Sequence, residues 1–303
     1  MRFIGLCQPV LALMLAPLLR GVINKVKALF AGRCGPSVFQ PYRDLAKLLG
    51  KGAVYSGTTT LVFRLAPLVG LSAVVVALAL LPIGSVQAML AFPGDIILFA
   101  YVLGLMRFFT VLGALDTGSS FEGMGASREV QFSALVEPVL MLSMATLARH
   151  SGSISFSGIY SSITFGVWMQ AGPTLAMVSA ALLVVCLAEN SRIPVDDPNT
   201  HLELTMIHEV MVLDYSGPDL AFILYAAALK LWVFGALLVG LCMPLRTGWA
   251  MMDIAAFLVG MLLLAIVIGV IESMMARLRL LRVPQMLVGA GAIAIIALVL
   301  VLR

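Results

Sequence analysis

The acids of this chain are gathered where they could bind protons or cations. Residues 188 to 219 carry Glu189, Asp196, Asp197, Glu203, Glu209, Asp214 and Asp219, seven of fifteen acids, with Arg192 as their only cation. An apolar run from Thr174 to Ala188 leads straight into Glu189. Arg107, Glu137, Lys230 and Glu272 lie inside other apolar stretches. At bilayer depth a charged side chain costs roughly 2.5–3.5 kcal/mol, so such groups persist where they pair, line a wet cavity or move ions. Desolvation brings carboxyls toward neutrality, where they take up and release protons, and a nearby Arg or Lys tunes them. A hydrated proton path is the expectation. The alternative is a set of structural pairs, Arg107 with Glu137 for example, or Lys230 snorkelling to a headgroup. Pro138 directly follows Glu137 and frees a backbone carbonyl for water or a neighbouring side chain, or simply kinks its helix.

Metal and catalytic signatures are weak. His201 and His208 are seven apart with Glu203 and Glu209 nearby, but the His-Glu-x-x-His pattern and a third ligand are missing. Cys7, Cys34, Cys186 and Cys242 are scattered, without iron–sulfur or zinc spacing. No glycine-rich phosphate loop, nucleophile elbow or haem-ligand pair occurs. The chain is expected to bind no cofactor of its own.

The elements that position these groups are membrane helices. The chain is 61% hydrophobic and 11% charged, against about 25% charged in soluble domains. Stretches near 3–22, 64–84, 95–115, 130–149, 171–189, 219–243, 252–275 and 283–302 are long enough to cross about 30 Å of hydrocarbon. The expected fold is all-α, one polytopic domain over residues 1–303 with eight spans. The first, third, fifth and seventh connections share a side holding Arg20, Lys25, Lys27, Arg33, Arg43, Lys47, Lys51, Arg64, Arg128, Arg192, Arg277, Arg279 and Arg282. The other side holds Arg2, Arg149, Arg246 and Arg303. Thirteen against four places the odd connections in the cytoplasm and both termini outside. The same bias favours anionic lipid over nucleic acid as the partner of the net +4 charge. One basic residue precedes the first apolar run and several follow, the reverse of a secretory signal, so that span is expected to be retained.

The cytoplasmic connections are expected at 23–63, 116–129 and 190–218. In the first, Gln40 to Lys51 sets Leu45, Leu48 and Leu49 apart from Arg43, Asp44, Lys47 and Lys51, and Pro41 suits a helix start. This predicts a short amphipathic helix at the interface. The second is rich in turn formers and ends in Arg128 and Glu129, with Ser127 as a cap for the fourth span. Connection 150–170 is Ser-rich and faces outside.

Four segments together resemble a known family: Gly35 to Leu49, Asp116 to Ser119, Gly125 through Glu129 to Glu137-Pro138, and Ala188 to Gly217. They are similar to the complex I subunit 1 family, in its formate hydrogenlyase subunit 4 / hydrogenase-4 component C branch. The resemblance implies a non-catalytic membrane subunit joining a peripheral redox arm to ion-translocating, antiporter-like membrane subunits. It also implies partners that carry the metals: an iron–sulfur small subunit and a [NiFe]-hydrogenase-like large subunit. Glu137 matches the family glutamate nine positions after Arg128, Glu189 the one opening the acidic loop, Asp196 the aspartate two after Pro194, and Glu203 a glutamate before a leucine. With Arg107, Arg128, Glu129, Lys230 and Glu272 they form the expected proton path. Asp197, His201, His208, Glu209 and Asp214 are expected at the interface with the arm.

The chain departs from complex I members in two places: Asn199 and His201 replace loop acids, and the segment after Gly35-Pro36 is shorter. Glu272 with the Met275–Arg279 stretch resembles the hydrogenase branch. These departures argue against a bound quinone. A quinone-site subunit and a freestanding ion transporter are the competing readings, the latter disfavoured by the lack of internal repeats.

Overall fold

The computed structural model describes residues 4–196 and 206–303. Asp197, His201 and Glu203 lie outside the described residues. Among the described residues ten α-helices follow in order: α1 (Cys7–Phe30), α2 (Gln40–Leu49), α3 (Leu61–Ala79), α4 (Asp95–Asp116), α5 (Ser120–Ser151), α6 (Phe156–Ser162), α7 (Phe165–Glu189), α8 (Gly217–Cys242), α9 (Ala250–Met274) and α10 (Val283–Leu302). All but α2 and α6 are long and apolar enough to span a bilayer. The protein is an eight-span, all-α, multi-pass membrane protein.

The centre of the bundle is α8, where 72% of the apolar stretch is buried against 22–44% in the other spans. It packs on α1, α3, α7 and α9. Lys230 is therefore turned toward neighbouring helices instead of lipid. The amphipathic helix forms as expected, with Pro41 in its first turn and no buried residue, lying across α1 and α8.

Connections alternate between two ends. At one end Thr58 Oγ1 donates to Thr117 O, Val54 N to Ser216 Oγ and Leu278 N to Pro194 O, gathering the four odd connections. At the other, Ala88 N donates to Ser157 Oγ and Trp168 Nε1 to Leu241 O, gathering the even ones.

Three boundaries differ from expectation. Helix α5 begins at Ser120, so the segment read as the 116–129 loop is mostly helical, and Ser127 Oγ donates to Met124 O within the helix instead of capping it. One glycine that looked like a turn former serves packing here. A Cβ on Gly125 would lie 2.3 Å from Val210 Cγ1 and 2.9 Å from Ile207 O, so the helix needs a bare backbone to seat the 207–211 segment. Helix α1 runs on to Phe30, bringing Lys25 and Lys27 onto it. Helix α7 begins at Phe165, six residues before the expected 171, because a kink at Ala171 before Pro173 joins two helical pieces.

Candidate functional site

Two ion clusters meet at the turn that ends α7. In the first, Arg107 on α4 sends its guanidinium to three carboxylates: Glu137 on α5, Glu189 at the end of α7, and Glu129 on α5 at 3.4 Å. Lys230 on α8 lies 2.7 Å from the second oxygen of Glu189. His208 Nδ1 approaches the second oxygen of Glu129 at 3.4 Å. The α5 acids are eight residues apart, a little over two helical turns, so both reach the same neighbour. Both readings of Arg107 and Glu137 have their geometry here, since they do pair. Lys230 pairs with Glu189, so the snorkelling alternative does not occur.

The second cluster centres on Glu272 of α9, whose carboxylate is fully buried between Lys27 of α1 at 2.9 Å and Arg192 at 3.2 Å. Beside it Asp196 accepts from Arg277 at 2.9 Å and from the backbone N–H groups of Ile207 and His208 at 3.1 and 3.3 Å. Among the described residues Arg192 thus serves Glu272 and not the loop acids. The acids at the start of the loop are balanced by cations from α4, α8 and the segment after α9. Sequence distance hid this, because those cations lie more than 40 residues away or, for Arg107, on an earlier helix.

The remaining expected residues sit at the loop's exit. Arg128 donates to Met206 O at 2.8 Å. Glu209 opens a short 3₁₀ turn, Glu209–Val212, packed on α5. Asp214 is exposed, and its N–H donates to Glu122 Oε1 at 3.1 Å. Tyr215 stacks on Phe63 with ring centroids 3.9 Å apart and donates to Phe63 O at 3.0 Å. Burial pushes its phenol pKa up. Gly217, at φ +53°, starts α8 against the backbone of Gly52, a conformation and an approach that a side chain would oppose.

Two cavities share this centre. The inner one, about 130 Å³, is lined by Arg107, Glu129, Glu189, Asp196, His208 and Lys230 among others, enough for several waters. The outer one, about 610 Å³, opens sideways between α4 and α5 and is lined by Arg107, Glu137 and Glu189 with Tyr101, Phe108 and Met141. Arg107 and Glu189 belong to both walls. The Glu137 side chain is 54% exposed at the wall of the outer cavity. Among the described residues no group of three or more His, Cys, Asp or Glu is placed to hold a metal ion.

The sequence matches the NADH dehydrogenase family over residues 3–302. The chain belongs to the complex I subunit 1 family. Within this family it is 34% identical to Hydrogenase-4 component C of Escherichia coli (strain K12), over 92% of this chain and 89% of that one. It is 33% identical to Formate hydrogenlyase subunit 4 of the same strain, over 97% and 96%. A component of the NADH-quinone oxidoreductase of Thermomicrobium roseum is 27% identical over 68% of this chain and 64% of its own length. The fold is shared with a chain of the membrane-bound sulfane sulfur reductase, an archaeal respiratory membrane complex, at a TM-score of 0.85 and 19% identity over 99% and 98%. Complex I subunit 1 relatives are, by name, components of hydrogenase, formate hydrogenlyase and quinone oxidoreductase complexes.

Proposed function

We propose that the chain is the membrane-anchoring, energy-coupling subunit of a hydrogenase-type oxidoreductase complex in the cell membrane. It links redox chemistry in a peripheral arm to movement of H⁺ or Na⁺, and carries no redox centre itself. The observation that supports this reading is the pair of cavities meeting at Arg107 and Glu189. A charged group at a shared wall is where an ion or proton passes from a polar chamber to a lateral exit. The lateral opening at Glu137 then faces an antiporter-like membrane subunit, which would cover an otherwise exposed carboxylate. His208, Glu209 and Asp214 lie toward the end that would meet an iron–sulfur small subunit and a [NiFe]-hydrogenase-like large subunit. Against the roughly 300 Å³ at which ligand pockets begin, the inner cavity of about 130 Å³ suits water, whereas the outer one of about 610 Å³ has room for a ring-sized apolar ligand.

Glu137→Gln tests the path, since the amide keeps the volume and loses the proton. Coupled turnover in the assembled complex is expected to fall by roughly 10²-fold, the lower end of what positioned proton transfer contributes. Subunit content on native gels should stay unchanged. Ion movement per turnover equal to wild type would return Glu137 to a purely structural pair.

Orientation is tested separately. In a cysteine-free background, Lys47→Cys and Arg279→Cys should label only from the cytoplasmic side, and Ile154→Cys and Leu245→Cys only from outside. Labelling of Ile154→Cys from the cytoplasm would reject the thirteen-to-four orientation.

A further inference from the structure

Outside the Arg107 and Glu272 clusters, Asp95, Asp219 and Asp253 are buried with hydroxyl donors from Ser155, Tyr55 and Thr247, and Glu122 is buried without one. Glu122 stands in the first turn of α5, ahead of the apolar stretch. Thirty-two residues make α5 about 48 Å long at 1.5 Å per residue, against a hydrocarbon core of about 30 Å, so its first turns project beyond the membrane. A glutamate there has every opportunity to reach water. Instead Glu122 is 0% exposed. One oxygen accepts from Asp214 N, and the other, Oε2, is buried without any hydrogen-bond partner.

Its surroundings are acidic. Helix α4 presents Asp116, held by Thr60 and Phe63 N–H, and Thr117, whose hydroxyl donates to Ala114 O. The loop presents Asp214 and Tyr215, and α8 presents Asp219, which accepts from Tyr55 OH at 2.8 Å, whereas Glu209 of the 3₁₀ turn lines the inner cavity with Arg20. The cations these elements bring are engaged elsewhere: Arg64 lies over the Tyr55 ring at 4.4 Å, and Arg128 is on Met206 O. No ion pair among the described residues includes Glu122. The partial positive charge at the start of α5 favours the anion only modestly, whereas burying a carboxylate with one oxygen unsatisfied opposes it strongly.

We propose that Glu122 is a second proton-binding site, separate from the Arg107 cluster, held as the neutral acid while residues 213–216 are closed on α5. A neutral carboxyl keeps one oxygen as acceptor for Asp214 N–H and needs no counter-cation. When the segment lifts, water reaches the carboxyl and the proton leaves to solvent. The acidic loop's exit is thereby latched by a proton, whatever ion the complex moves.

Infrared spectroscopy and amide exchange on the complex containing the full chain decide the point. At neutral pH a protonated-carboxyl C=O band that shifts in D₂O is expected, and Glu122→Gln should remove it. After correction for intrinsic exchange, opening of residues 213–217 in wild type should rise by up to ten-fold per pH unit above neutrality, because the open form releases one proton. In Glu122→Gln and Glu122→Met, both permanently neutral, that extra pH dependence should vanish with the segment closed. An unchanged C=O band in Glu122→Gln overturns the proposal. So do neutral variants that open the segment or unfold the chain, since these would show that the anion holds it shut.

Discussion

Arg107→Met is expected to destabilise the folded chain by about 3–5 kcal/mol, the range for removing one partner from a buried charge cluster. Methionine fills most of the arginine's length with no charge. Glu129, Glu137 and Glu189 would then face only Lys230 and the His208 edge. The side chains of Arg107 and Glu189 are 10% and 5% exposed, so the few waters that the inner cavity can hold offset only part of the loss. Adding Glu189→Gln should recover part of the loss, with a coupling of roughly 0.5–3 kcal/mol in the double-mutant cycle. Trp232, buried two residues from Lys230, gives a fluorescence signal for unfolding in detergent or bicelles. A single variant within about 1 kcal/mol of wild type would mean that the carboxylates are satisfied by other groups.

Removing Glu272 is the complementary experiment, because there one anion serves two cations. Glu272→Gln leaves Lys27 and Arg192 facing a neutral amide in a fully buried position, again about 3–5 kcal/mol. Lys27→Met should cost much less, since Lys27 is 22% exposed and Glu272 keeps Arg192. Replacing all three with Leu or Met should come back near wild-type stability, as apolar groups of similar volume often match a buried ion triad. Equal losses for Glu272→Gln and Lys27→Met would show that Arg192 is held by other contacts. The readout is the same unfolding transition, with protease cleavage near residues 190–196 as a local monitor.

The eight spans were legible because each is a long run of Leu, Val, Ala and Ile, and crossing a bilayer demands little else of a helix. Gln40 to Leu49 was legible from its apolar spacing and Pro41. The start of α5 was not. Gly123, Gly125 and Ser127 carry the composition of a turn, and only the packing of 207–211 shows why the helix needs a glycine at 125. Partnerships were the least legible feature. Glu189, Asp196, Arg107, Lys230 and Glu272 stood out as charges in apolar surroundings, yet pairing depends on which helices adjoin, and a single sequence holds no signal for that. Glu122 was passed over for the same reason as α5's first turn. Within a flexible, capped loop it would be solvated, whereas three residues after Ser119 in a helix it points back under the exit of the acidic segment.

The placement of Lys230 on the most enclosed helix also bears on how the chain enters the membrane during synthesis. Translation delivers Arg107 first, then Glu129 and Glu137, then Glu189, and Lys230 only afterwards. By the time α8 leaves the ribosome, the carboxylate that Lys230 contacts has already been made, one span earlier. The lysine can therefore exchange the aqueous translocation channel for an ion pair with Glu189, without an interval alone in lipid at roughly 2.5–3.5 kcal/mol. Were Lys230 translated before Glu189, that shelter would be missing from biogenesis.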